Sequence, residues 1–149
     1  MRVYRAIKEE VPDKGYALPL GKAEVVQEGH DLTVISYGAM LKYTKDALSK
    51  SQYSAEIIDV RTISPLDAET IINSVKKTGR CVIAHEAIRT CGFAAELIAA
   101  INEKALLSLQ APVVRVTSPD VPLPMAKLES YFLPDVSRIL KGIEKVMGF

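Results

Sequence analysis

Apolar positions along the chain change period several times. Between residues 22 and 60, KAEVVQ (22–27), DLTVISY (31–37) and SAEIIDV (54–60) are short runs with the length and branched-residue content of β-strands. Between the second and third runs, AMLKYTKDALSK places Met40, Leu41, Thr44, Ala47 and Leu48 on one helical face. The segment SPLDAETIINSVKKTG predicts a second helix, with Ser64 and Pro65 at its front and Lys76, Lys77 and Gly79 at its back. Its Ile71, Ile72 and Val75 share a face. A wholly apolar strand is expected over Cys81 to Ala84, a helix over Gly92 to Leu107, and another strand over Val113 to Thr117. The last helix follows LPD, with Asp135 as its N-cap, and turns Val136, Ile139, Leu140, Ile143, Val146 and Met147 inward.

Strands that alternate with helices, several of them apolar on both faces, specify an α/β fold. The expected form is a three-layer sandwich with a mostly parallel five-stranded sheet and helices on both faces. The first 20 residues mix charge with Pro and Gly and show no sustained period, so residues 1–20 read as a connecting segment and 21–149 as the domain. No repeat or low-complexity tract interrupts it.

Composition narrows the partners. The chain has 149 residues, 48% hydrophobic and 25% charged, with a formal net charge of +1. That length suits one domain with a full core. The near-zero charge gives no reason to expect nucleic acid or an anionic membrane as partner. Two cysteines, Cys81 and Cys91, are too few for a disulfide framework and fit a reducing compartment, so the expected location is cytoplasmic. No apolar run reaches the roughly 20 residues of a membrane span.

Ligands of such folds bind beyond the carboxyl ends of the strands. There, in RCVIAHEAIRTCGFAAELIAA (80–100), His85, Glu86, Arg89 and Cys91 crowd one rim. A thiol at a helix mouth beside a histidine could serve as nucleophile and base. That would make the chain a free-standing small enzyme, or an anion-binding regulatory module, using His85, Glu86 and Cys91. The plainer reading has His85 and Glu86 satisfying backbone groups at a strand end and Cys91 filling a small space. Asp59 and Arg61 read as an ion pair pinning the turn after their strand, with Asp67 close behind, and His30 in EGHD faces solvent. No second histidine follows His85-Glu86 at metalloprotease spacing, and neither G-x-G-x-x-G nor G-x-x-x-x-G-K-[ST] occurs. The residues thus offer a scaffold without catalytic, cofactor-binding or metal-binding candidates that hold together.

The ordered blocks YRAIKEEVP, YALPLGKAEVVQEGHDLTVISYGAM, AEIIDVRTISPLDAETIINSVKKTGRCVIAHEA, APVVRVTSPDVPLP and LESYFLPD resemble a known family. It is the C-terminal, transketolase C-terminal-like domain of the beta subunit of thiamine-diphosphate-dependent 2-oxoacid dehydrogenases, acting on pyruvate or branched-chain 2-oxoacids. The resemblance covers nearly the whole chain, and the IDVRTISPLD and HEA blocks are its most specific parts. It implies that thiamine diphosphate and magnesium belong to the intact enzyme, held by an N-terminal half and an alpha subunit, with none bound by this piece. The GDG magnesium motif is absent from the sequence. Residues 1–20 would be the link to that half. The implied partners are the alpha subunit, a second beta subunit and the subunit-binding domain of the dihydrolipoyl acyltransferase. Ser108, Gln110 and Phe149 are the candidate docking residues, and Asp59, Arg61, His85 and Glu86 are structural turn residues. One departure stands out: where the family favours glycines after HEA, this chain has RTCGFAAE, with Cys91 and Ala94 in those places, and Cys91 is read as a packing substitution.

Overall fold

The computed structural model describes residues 8, 10, 12–124 and 127–149. Five strands and five helices follow in the order β1 (Glu24–Gln27), β2 (Leu32–Ser36), α1 (Met40–Leu48), β3 (Ala55–Asp59), α2 (Ala68–Thr78), β4 (Cys81–Ile88), α3 (Ala94–Ala105), β5 (Val114–Ser118), α4 (Glu129–Phe132) and α5 (Val136–Met147). A 3₁₀ turn, Leu106–Ser108, closes α3. The sheet order is β1-β3-β2-β4-β5. β1 pairs antiparallel with β3, and every other pairing is parallel.

Alternation along the central strands sorts the core into two layers. Leu32, Val34, Val82 and Ala84 face α1 and α5, where Met40, Ile139, Ile143 and Val146 meet them. Ile35, Ile58, Cys81 and Ile83 face α2 and α3 and pack on Ile71, Val75, Leu97 and Ile101. Each such fully buried Leu or Ile contributes about 1.5–3 kcal/mol over its exposed state. The three-layer α/β architecture read from the periodicity is the one observed.

Differences from the sequence reading have local causes. The strand expected to end at Ala84 continues to Ile88, because after an irregularity Ile88 pairs with Ser118 on β5. His85 and Glu86 therefore lie within a strand. The helix expected from Gly92 to Leu107 begins at Ala94 and gives way to the 3₁₀ turn after Ala105. For α2 the N-cap is Asp67, whose carboxylate accepts the Thr70 N–H, so Ser64 and Pro65 precede the helix. At α5, Asp135 does cap, accepting from the Arg138 N–H at 2.8 Å. The four-residue α4 had no periodic signal.

Of the connecting segment expected over residues 1–20, residues 1–7, 9 and 11 lie outside the described residues. The described part of it contains no helix or strand. Among the described residues no helix is long and apolar enough to cross a membrane.

Candidate functional site

The strands' carboxyl ends bring together the turn after β2, the end of β4 with its following loop, and the segment after β5. Tyr37, one residue past β2, lies over His85: its hydroxyl is 3.3 Å from His85 Nδ1, and its ring meets Phe93 edge-on at 5.9 Å. His85 is fully buried, and its Nε2 has no hydrogen-bond partner among the described residues. The expected backbone-satisfying role is not what its ring does. Gly92 allows this burial, because a Cβ there would sit 2.3 Å from the Ile88 carbonyl and 2.8 Å from His85 Cε1.

Burial lowers the His85 pKa, and the positive charge of Arg115 lowers it further. Burial also raises the Tyr37 pKa, with the Glu86 carboxylate adding to the effect. Among the described residues the imidazole's hydrogen-bond contact is the Tyr37 hydroxyl and not a thiol. Cys91 is exposed, with φ of 55°, and no hydrogen bond joins it to His85. The packing role expected for Cys91 is corrected accordingly: the position demands left-handed backbone, which glycine adopts freely, and its side chain faces outward. It also lies before the Phe93 N-cap, outside the helix mouth. Ala94 is buried in the α2–α3 layer.

The rim is tied by main-chain and hydroxyl bonds. Ser118 Oγ donates to the Glu86 carbonyl at 2.7 Å, and the Thr90 amide and hydroxyl each bind the Asp120 carboxylate at 2.8 Å. Those two bonds hold the Asp120 pKa below its ordinary value. At the β3 end, Arg61 Nε lies 3.8 Å from Asp59 Oδ2, and the Arg61 amide donates to Asp59 Oδ1 at 3.2 Å. Arg61 also pairs with Glu24 of β1, a partner that a sequence separation of 37 residues concealed. Burial raises the Asp59 pKa in spite of Arg61. Asp67 behaves oppositely. Burial alone would raise its pKa, but bonds from the Thr70 hydroxyl and from the Ala23 and Thr70 amides bring it below the ordinary range. His30 is solvent-facing, with 78% of its side chain exposed.

The docking candidates fall on different faces of the opposite end. Ser108 and Gln110 follow α3, whereas Phe149 follows α5 and is 67% exposed. Gln110 is engaged: its Oε1 accepts from Arg80 Nη1 at 2.5 Å, and its backbone N–H donates to the Gly79 carbonyl. Beside it a cleft of about 570 Å³ is lined by Ile98, Asn102, Leu106, Leu109 and Val113.

The residues present do not suit a magnesium-diphosphate group. Among the described residues no cluster of three or more His, Cys, Asp or Glu side chains could hold a metal ion. The rim acids Asp59 and Asp120 are already bonded to Arg61 and Thr90.

Sheet order and layers define an α/β domain with a mostly parallel five-stranded sheet between two helical layers. Residues 21–139 match the family described as transketolase, C-terminal domain, and the chain belongs to that family. Over its whole length it is 47% identical to the pyruvate dehydrogenase E1 component subunit beta of Bacillus subtilis, 42% to that of Staphylococcus epidermidis and 41% to that of Staphylococcus aureus. It covers 47% of each, so the chain spans about half the length of these curated relatives. Among solved structures it resembles a split gene transketolase, an inactive beta4 tetramer, with TM-score 0.72 and 27% identity over 94% of this chain and 46% of that one. The fold is also shared, at 12% identity and TM-score 0.54, with a 2-oxoglutarate:ferredoxin oxidoreductase from Magnetococcus marinus, over 85% of this chain and 19% of that one.

Proposed function

We propose that this chain serves as the assembly domain of a pyruvate dehydrogenase-type beta subunit. The observation that carries the reading is the end-to-end match, at 47% identity, to roughly half of the Bacillus subtilis subunit. The chemistry belongs to the intact enzyme: oxidative decarboxylation of pyruvate or a branched-chain 2-oxoacid, then acyl transfer to a lipoyl group. Thiamine diphosphate with magnesium is bound there by residues outside this chain. The domain contributes binding energy, joining an alpha subunit and a second beta subunit in a cytoplasmic heterotetramer.

Docking of the acyltransferase's small subunit-binding domain is assigned to the end carrying Ser108, Gln110 and Phe149. Exposed Phe149 and Leu107 supply aromatic and apolar contact there. Gln110, tied to Arg80, acts by shaping the surface rather than by reaching out.

Calorimetric titration of the chain with the isolated subunit-binding domain tests the docking assignment. Saturable binding of one domain per two chains, weakened by salt and by deletion of Phe149, is expected. Absence of binding to a folded, dimeric chain would return the contact to the alpha subunit or to the rest of the beta subunit.

A further inference from the structure

Several basic side chains of this molecule meet acids. Lys77 bonds Glu56 and Glu28, Lys42 bonds Asp46, and Arg61 bonds Asp59 and Glu24. The outer edge of β5 gathers three arginines without such pairs. An open cleft of about 230 Å³ is lined by Arg89, Arg115, Val116, Thr117 and Arg138. Among the described residues none of these three arginines makes an ion pair with an Asp or Glu. Two acids beside the cleft, Asp120 and Asp135, are engaged otherwise. Asp120 is within the electrostatic reach of Arg89 but gives its oxygens to Thr90, and Asp135 gives its own to the Arg138 backbone N–H.

Two of the guanidiniums are nevertheless held in place. Arg115 Nη1 donates to the Arg89 carbonyl at 3.0 Å, and Arg138 Nη1 donates to the Phe132 carbonyl at 3.2 Å. Each bond uses one of the five N–H donors of a guanidinium, so most remain free for a ligand. Charged side chains on an open strand edge discourage pairing with another sheet. That role accounts for Arg115 on β5 itself. It does not account for arginines brought from the β4–α3 loop and from α5 to the same cleft.

We infer that this cleft is an oxyanion site for a phosphoryl group, with Arg115 and Arg138 as tethered forks and the exposed Arg89 closing over the ligand. A carboxylate is satisfied by one bidentate guanidinium, whereas a phosphate dianion has oxygens enough for several. The Thr117 hydroxyl adds a further donor. The site lies on the edge of the sheet, next to the His85 rim, where the Arg115 charge acts on the imidazole, and away from the Phe149 end.

The test is calorimetric titration of the 149-residue chain with inorganic phosphate and with phenyl phosphate, in chloride buffer at fixed ionic strength. Phosphate alone and a phosphomonoester are thereby separated as ligands. Saturable binding to one site per chain is expected, weakened about tenfold or more by Arg115→Gln and by Arg138→Gln, as loss of a charged hydrogen bond predicts. Arg89→Gln, which removes no backbone tether, is expected to weaken binding without altering the fold. Lys76→Gln, which removes one charge from the exposed face of α2, is expected to leave affinity unchanged. Heats indistinguishable from those of chloride, or equal losses in Lys76→Gln and the arginine variants, would overturn the site.

Discussion

The two ends of the sheet treat polar groups differently. Where the parallel strands begin, buried Thr33 shares its hydroxyl with Ser74 at 2.7 Å and Thr78 at 2.8 Å, so β2 is bolted to α2 through polar atoms. Nearby, buried Glu56 is bonded by Lys77, which also reaches Glu28. Where the strands finish, His85 Nε2 and Ser36 Oγ are buried without partners among the described residues. Buried polar groups left unsatisfied cost about 1–3 kcal/mol each. The starting end joins its buried hydroxyls in a network and leaves Arg80 Nε as an orphan among the described residues, whereas the finishing end leaves an imidazole nitrogen and a hydroxyl unsatisfied. Strain and unsatisfied groups of this kind concentrate where a protein meets something else.

Substitutions sharpen that contrast. The largest effect is expected at Gly29, before β2, where a Cβ would lie 2.1 Å from the Ala55 carbonyl carbon and 2.4 Å from the Glu56 nitrogen. Gly29→Ala must move one backbone segment off another, and urea denaturation is expected to register a loss of about 3 kcal/mol or more. Next, Thr33→Val strips Ser74 and Thr78 of their shared partner, at an expected cost of about 1–3 kcal/mol in the same measurement. Asp135→Ala removes the α5 cap and is expected to cost about 1 kcal/mol.

At the finishing end the expected effect is smaller and depends on pH. The folded state holds His85 below its ordinary pKa, so the unfolded chain binds more protons once pH falls below about 6.5. Stability contributed by neutral His85 is therefore complete above that pH and declines towards the folded pKa. His85→Gln is expected to flatten this part of the stability-pH curve while leaving neutral stability little changed. A full-sized loss at neutral pH would instead put the rim among the elements that hold the fold.

The layered fold was legible because its signals are local. Periodic apolar residues place the central strands and α1, α2 and α5, and Asp135 announces its own cap. The limits of β4 were hidden because HEAI lacks alternation, and only the later pairing of Ile88 with Ser118 keeps that stretch extended. The front of α2 was misplaced because Ser64 and Pro65 carry the usual starting chemistry while Asp67 does the capping. At the rim, adjacency in sequence drew Cys91 and His85 together, yet a left-handed turn at Cys91 leaves the thiol exposed while the imidazole is buried. The arginine cleft draws on three elements separated by some 25 residues each, and no motif of adjacent residues marks such a site.

The central claim, that this chain works by association, is tested most directly in a chimera. Its sequence would replace the matching part of the Bacillus subtilis beta subunit, to be assembled with that enzyme's alpha subunit. The measurements are heterotetramer formation by sedimentation velocity and pyruvate decarboxylation by the assembled enzyme. A chimera that assembles and turns over pyruvate, beside an inactive isolated chain, is the predicted result. A soluble chimera that binds the alpha subunit no better than a beta subunit lacking this part would contradict the account.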